Sequence, residues 1–119
     1  MNIYESQLQS RVLGLIVAEP LCALLRPTGE LQGDPHALAV FWRVNTGAVG
    51  HMRFGVNGQA DITGCVRGRR VEFELKSPKG RQSTEQRAFQ RHVERAGALY
   101  VLVRTEAEFF TPVRHLLGS

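Results

Sequence analysis

Cysteine is nearly absent from this chain. Cys22 and Cys65 are the only two among 119 residues, and their separation matches no metal-ligand spacing. A disulfide-framed secreted scaffold and a cysteine zinc site are therefore excluded, and two lone thiols suit a reducing compartment. Long hydrophobic runs are also missing. The longest apolar segment, residues 12–18, is interrupted by Gly14 and falls far short of the ~20 residues of a membrane helix. Residues 1–11 are polar, unlike the basic and then apolar start of a secretion signal. The expectation is a soluble, cytoplasmic protein without a membrane partner. His36, His51, His92 and His115 share no zinc spacing. There is no serine-nucleophile motif. Gly55, Gly58 and Gly64 do not introduce a helix, which removes a phosphate-cradling loop. With no repeat, low-complexity tract or linker, residues 1–119 read as one domain.

What is present is an ordinary globular composition, 43% hydrophobic and 22% charged. Fifteen Lys and Arg against eleven Asp and Glu give a net charge of +4. The basic residues are densest between Arg67 and Arg95. A basic surface attracts polyanions and gains affinity by counterion release, so a nucleic-acid partner is one reading. A solvated, merely soluble surface is the other.

Apolar periodicity predicts a first helix over residues 4–18, with Leu8, Val12, Leu15 and Ile16 on one stripe and Pro20 beyond its end. Residues 26–35, with two prolines and two glycines, read as loop. Residues 37–44 form an apolar run suited to a buried strand, a core element more readily than part of a dimer interface. Asn45-Thr46-Gly47 reads as a turn into a strand over 49–54. Strands are expected at 59–66 and 70–77, joined around Gly68-Arg69 and stopped by Pro78-Lys79-Gly80. A helix over 83–96 stops at Gly97, a strand fills 98–103, and a last helix spans 106–117.

The chemistry concentrates between Gly58 and Gly80. Val71, Phe73 and Leu75 alternate with Glu72, Glu74 and Lys76, so the two carboxylates and the lysine share a face. A two-residue turn at Gly68-Arg69 sets Val66 opposite Val71, Cys65 opposite Glu72, Thr63 opposite Glu74, and Asp61 opposite Lys76. An odd turn length would instead send Asp61 and Glu74 to opposite faces. With the two-residue turn, Asp61, Glu74 and Lys76 project together, and two carboxylates and a lysine so placed suit metal-assisted phosphodiester hydrolysis: the carboxylates can bind Mg²⁺ and the lysine can orient water or offset phosphate charge. The plainer alternative is a hairpin face with surface ion pairs worth about 0–1 kcal/mol each. Gln86 lies on the stripe of Phe89, Val93 and Ala96 and should point at the sheet. Ser83-Thr84-Glu85-Gln86 also fits a capping box, and the two roles are compatible. Glu5 continues the stripe of Leu8, Val12 and Leu15, although an acid at a helix N-terminus is favourable without any metal.

Asp61, Glu74-Leu75-Lys76, Gly80 and Gln86 together resemble the PD-(D/E)xK nuclease superfamily, and within it the VRR-Nuc family. The likeness runs from about Gly58 to Arg104, with Val101-Leu102-Val103-Arg104 at the family's Val-Arg segment. It implies an α/β, restriction-endonuclease-like fold: a mixed sheet flanked by helices with an α-β-β-β-α-β core. It also implies Mg²⁺- or Mn²⁺-dependent DNA cleavage. On this resemblance Asp61, Glu74 and the Leu75 backbone carbonyl bind metal, Lys76 positions the attacking water, and Gln86 and Glu5 complete the site. Lys79, Arg81 and Arg87 are the candidate DNA contacts. Stand-alone nuclease domains of this kind resemble Holliday-junction resolvases acting as homodimers on branched DNA, in a phage or bacterial setting. Ala60 stands where the superfamily name has proline, and Thr105 follows Arg104 where a second arginine would be expected. Flap or single-strand cleavage, and a catalytically silent DNA-binding module, are the competing functions.

Overall fold

Asn2 starts the first helix by accepting the Glu5 amide on its side chain at 2.8 Å, which satisfies one of the helix's unpaired N–H groups. The computed structural model describes residues 1–44, 47–49 and 52–118. Helix α1 spans Ile3–Ile16 and buries Leu8, Val12 and Ile16 completely. Leu15, expected on that stripe, is 45% exposed and lies off the buried line. The strands that follow are β1 (Cys22–Leu25), β2 (Leu31–Gly33), β3 (Ala39–Arg43), β4 (Gly47–Val49), β5 (Met52–Phe54), β6 (Ile62–Val66) and β7 (Arg69–Leu75). Helix α2 (Thr84–Arg95), strand β8 (Leu99–Val103) and helix α3 (Glu106–Leu117) complete the chain.

Six strands form one mixed sheet in the order β2-β1-β3-β6-β7-β8, and β4 and β5 pair only with each other. Strands β3, β6 and β7 run as an antiparallel meander, and α2 carries the chain across to β8, parallel to β7. Alternation sorts the side chains between the two faces. Phe41, Ile62, Val66, Val71, Phe73, Leu75 and Val103 join the stripes of α1 and α3 in the apolar core. Phe109 of α3 is its centre, with ring centroids 4.2 Å from Phe73 and 5.2 Å from Phe41. Helix α2 covers the opposite face, where Phe89 packs 6.4 Å from Tyr100. That face is polar: Thr63, Glu72 and Glu74 are buried on it.

Three expectations are corrected. The segment read as loop over 26–35 contains β2, an edge strand whose three residues are all exposed and so carry no burial pattern to read. The strand expected over 49–54 is instead the two short strands β4 and β5. The turn expected at Asn45 and Thr46 lies outside the described residues.

The third correction concerns register. The hairpin turn is Arg67-Gly68, with φ of +48° and +84°, and Val66 pairs with Arg69. Positive φ at both central residues is what a type I′ hairpin turn requires. Thr63 therefore faces Glu72 instead of Glu74, and Ile62 faces Phe73. Extending this pairing by one residue brings Asp61 opposite Glu74 and not Lys76. The register moves by an even step, so alternation is preserved and both carboxylates keep the same face.

Candidate active site

Asp61 stands at the point where the chain enters β6, held by three backbone bonds. Its N–H donates to the Phe73 carbonyl at 3.0 Å, and its carbonyl accepts from Val44 N–H at 2.9 Å. Its Oδ2 accepts from the Leu75 N–H at 2.8 Å. The carboxylate is thus tied across the strand to the residue after Glu74. Glu74, only 1% exposed, sits in a central strand with Leu102 of β8 as its parallel partner.

Glu74 is held from the helix side by Gln86, whose Nε2 donates to Glu74 Oε1. The other end of that amide closes the capping box. Gln86 Oε1 accepts from Ser83 N–H at 2.8 Å, and Ser83 Oγ accepts from Gln86 N–H at 3.1 Å. Both roles expected of Gln86 are filled by one side chain. Fixing the helix start therefore fixes the donor aimed at Glu74.

Burial, and after it the hydrogen bond and negative charge of Asp61, push the Glu74 carboxyl up to about 9; Lys76 opposes the shift and Glu5 adds to it. Such an environment favours keeping a proton on Glu74 beside Asp61 or admitting a cation. Lys76 is half-buried and close enough for its charge to act on Glu74. Glu5 reaches the same neighbourhood from α1, and its Oε2 accepts from Ser77 N–H at 3.1 Å and Asn2 Nδ2 at 2.9 Å. It pins the end of β7 to the first helical turn.

Asp61, Glu74, Lys76, Gln86 and Glu5 are thus gathered at one end of β7. Lys79, Arg81 and Arg87 are exposed beyond it. Arg87 is partly engaged with the α2 start, donating to Gln82 O at 2.9 Å and to Thr84 Oγ1 at 3.3 Å. Two contributors were not foreseen. Arg104 donates from Nη2 to the Gly80 carbonyl at 3.0 Å, and its own carbonyl accepts from the Tyr4 hydroxyl at 2.6 Å. It joins the turn after β7, the end of β8 and the start of α1; the sequence marks it only as the close of the Val-Arg segment, with no contact assigned to it. Gly58 is the other. With φ of +78°, it lies where a Cβ would come within 2.2 Å of the Glu85 carbonyl oxygen and 2.8 Å of the Gln86 amide nitrogen.

Gly58→Ala is accordingly expected to lower stability by about 2 kcal/mol, from a strained φ together with a backbone clash. It should also push the α2 start, and Gln86 with it, away from Glu74. Chemical denaturation read beside the Gln86 side-chain amide resonances checks this; an unchanged denaturation midpoint would refute the close approach.

Comparison with protein-family models, with curated proteins and with solved structures finds no match in any of the three. The chemistry therefore rests on the residues themselves. Among the described residues, no group of three His, Cys, Asp or Glu side chains is arranged to hold a metal ion. The relevant donor set is smaller: two carboxylates side by side, with a backbone carbonyl between Glu74 and Lys76. Hard divalent cations such as Mg²⁺ often take one or two carboxylates and complete their shell with water and phosphate oxygens. Burial raises Glu74 first and the neighbouring Asp61 charge adds to it; a cation between the two groups would offset both, so the residues fit such an ion. No helix among the described residues is long and apolar enough to cross a membrane.

Proposed function

We propose that this chain is a metal-dependent, structure-selective DNA endonuclease of the VRR-Nuc type within the PD-(D/E)xK superfamily. The observation that carries the reading is the placement of Asp61 beside the buried Glu74, with Lys76 just past the end of the same strand. The six-strand mixed sheet flanked by helices, with α2 leading from β7 to the parallel β8, supports it; an α-β-β-β-α-β core would count β1, β2, β4 and β5 as additions.

In this reading Asp61, Glu74 and the Leu75 carbonyl hold Mg²⁺ or Mn²⁺, with Glu5 at the margin. When bound, the cation polarises the scissile phosphate and lowers the pKa of a water. Lys76 orients the attacking water and offsets charge that develops on the phosphate. Gln86 keeps Glu74 in position. Lys79, Arg81 and Arg87 receive the flanking phosphates. The substrate is branched DNA of the Holliday-junction type, cut in the cytoplasm of a bacterial or phage-infected cell. A homodimer presents two such sites to two strands.

The test is cleavage of labelled four-way junction, flap and linear duplex DNA with Mg²⁺ or Mn²⁺, beside EDTA and a Glu74→Ala control. Junction cutting that needs both metal and Glu74 is expected. Cutting restricted to flaps or duplex would retain the nuclease and discard the resolvase. Tight binding without cutting of any substrate would reduce the chain to a DNA-binding module.

A further inference from the structure

Alongside β7, between the β6–β7 hairpin tip and the inner stripe of α2, runs an open groove of about 690 Å³. Its three parts differ in chemistry. Arg67 and Arg69 stand at the tip end, Phe89 and Val93 make an apolar wall, and Glu72 lies on the floor. Glu72 is 2% exposed. Its Oε1 accepts from Arg70 Nε at 3.0 Å, whereas its Oε2 is buried and has no hydrogen-bond partner among the described residues. A buried carboxylate oxygen left in this state is unfavourable, so a donor brought to it is favoured. Arg70, which lies over the Trp42 ring at 5.4 Å, has a 48% exposed side chain.

The ligand that matches this lining is anionic at one end, flat and apolar in the middle, and carries an N–H donor. An unpaired nucleotide has all three properties. Its phosphate suits the arginines, its base face suits Phe89, and an exocyclic amino group suits a carboxylate acceptor. Glu72 and Glu74 are two residues apart on one strand face, about 7 Å. A strand with a phosphate at Asp61 and Glu74 therefore has a neighbouring base within reach of the groove.

We infer that this groove binds an unpaired base bearing an exocyclic amino group, with Glu72 as its acceptor. The position of the scissile phosphate rests on the nuclease reading above, whereas base binding does not. The inferred contact adds a reason for preferring DNA with unpaired nucleotides near the cut.

Fluorescence anisotropy in EDTA, with labelled oligodeoxycytidylate and oligothymidylate of equal length, tests it without any cleavage. The cytosine amino group donates to Glu72, while thymine offers a carbonyl oxygen at the same place. Wild type is expected to prefer the cytosine strand by about fivefold or more. Glu72→Gln should bring the two within about twofold, since an amide can either accept or donate. Val93→Trp, a substitution on the partly open helix face that fills the groove, should weaken the cytosine strand by about tenfold. Equal wild-type binding of both strands, or a Val93→Trp variant within about twofold of wild type, would overturn the inference. If DNA is cut but no base preference appears, this inference alone falls. Base preference without cutting would instead remove the nuclease.

Discussion

Glu74→Gln is expected to abolish metal-dependent cleavage while making the metal-free protein more stable. A buried carboxylate beside Asp61 is an unfavourable arrangement in the absence of a cation. A glutamine of the same shape can accept from Gln86 on one side and donate to Asp61 on the other, so every partner is kept and the charge is removed. Relief of about 1 kcal/mol would raise the melting temperature by roughly 3–6 °C at slightly alkaline pH. Loss of an anionic ligand should lower kcat/KM by about a thousandfold, comparable to the upper range for removing one charge-stabilising group. Calorimetry and a cleavage assay on the same preparation make the check. A variant that is both less stable and inactive would mean that Glu74 is structural, and a variant that still cuts would remove it from the site.

The second large effect is on pH and metal together. The folded Glu74 carboxyl titrates near 9, against an ordinary value of 4.5. Between those limits the folded state holds a proton that the unfolded state has released. The contribution of this group to stability is therefore full below about 4.5 and is lost progressively as pH rises toward 9. Binding of Mg²⁺ must displace that proton, so metal affinity should increase with pH across the same interval. Adding Mg²⁺ should raise the melting temperature several times more at pH 8.5 than at pH 6, and titration calorimetry in buffers of different ionisation enthalpy should register proton release. Equal stabilisation at both pH values would show that the ion does not contact Glu74.

Much of this arrangement is legible in the sequence where local rules are strong. Helix α3 falls at residues 106–117 as expected, because Thr105 and Glu108 form a capping box at its start. Helix α2 and its stop at Gly97 follow from Ser83, Gln86 and a glycine with φ of +105°. The shared face of Asp61 and Glu74 depends only on alternation, so it survives an error in register. The difference in register lies at Arg67: nothing in an arginine announces a left-handed backbone, so the turn sits one residue earlier than the sequence suggests. Strand β1 escaped notice because four apolar residues beside Pro20, Pro27 and Gly29 look like the flank of a loop. Its strand character comes from pairing with β2 on one side and, beyond β2 in the chain, with β3 on the other. The Arg104 bond to Gly80, the approach of Gly58 to α2 and the burial of Glu72 are likewise long-range facts with no local signature.

Helix α2 differs from its two companions in one further respect. Helices α1 and α3 each bury three side chains, but α2 buries none. Its attachment is a seam that includes the Phe89–Tyr100 contact, the Gln86–Glu74 hydrogen bond and a bridge through Gln82, just before the helix, whose Nε2 donates to Gln90 of α2 at 2.9 Å and to the Tyr100 hydroxyl at 3.4 Å. Little apolar area holds that seam shut, so the helix belongs to the part of the molecule that opens at least cost in free energy. Opening would leave the sheet and the apolar core intact while withdrawing Gln86 from Glu74. The element that aligns the acid is thus separable from the element that carries it, and a DNA strand lying along α2 would act as a clasp, closing the seam from outside.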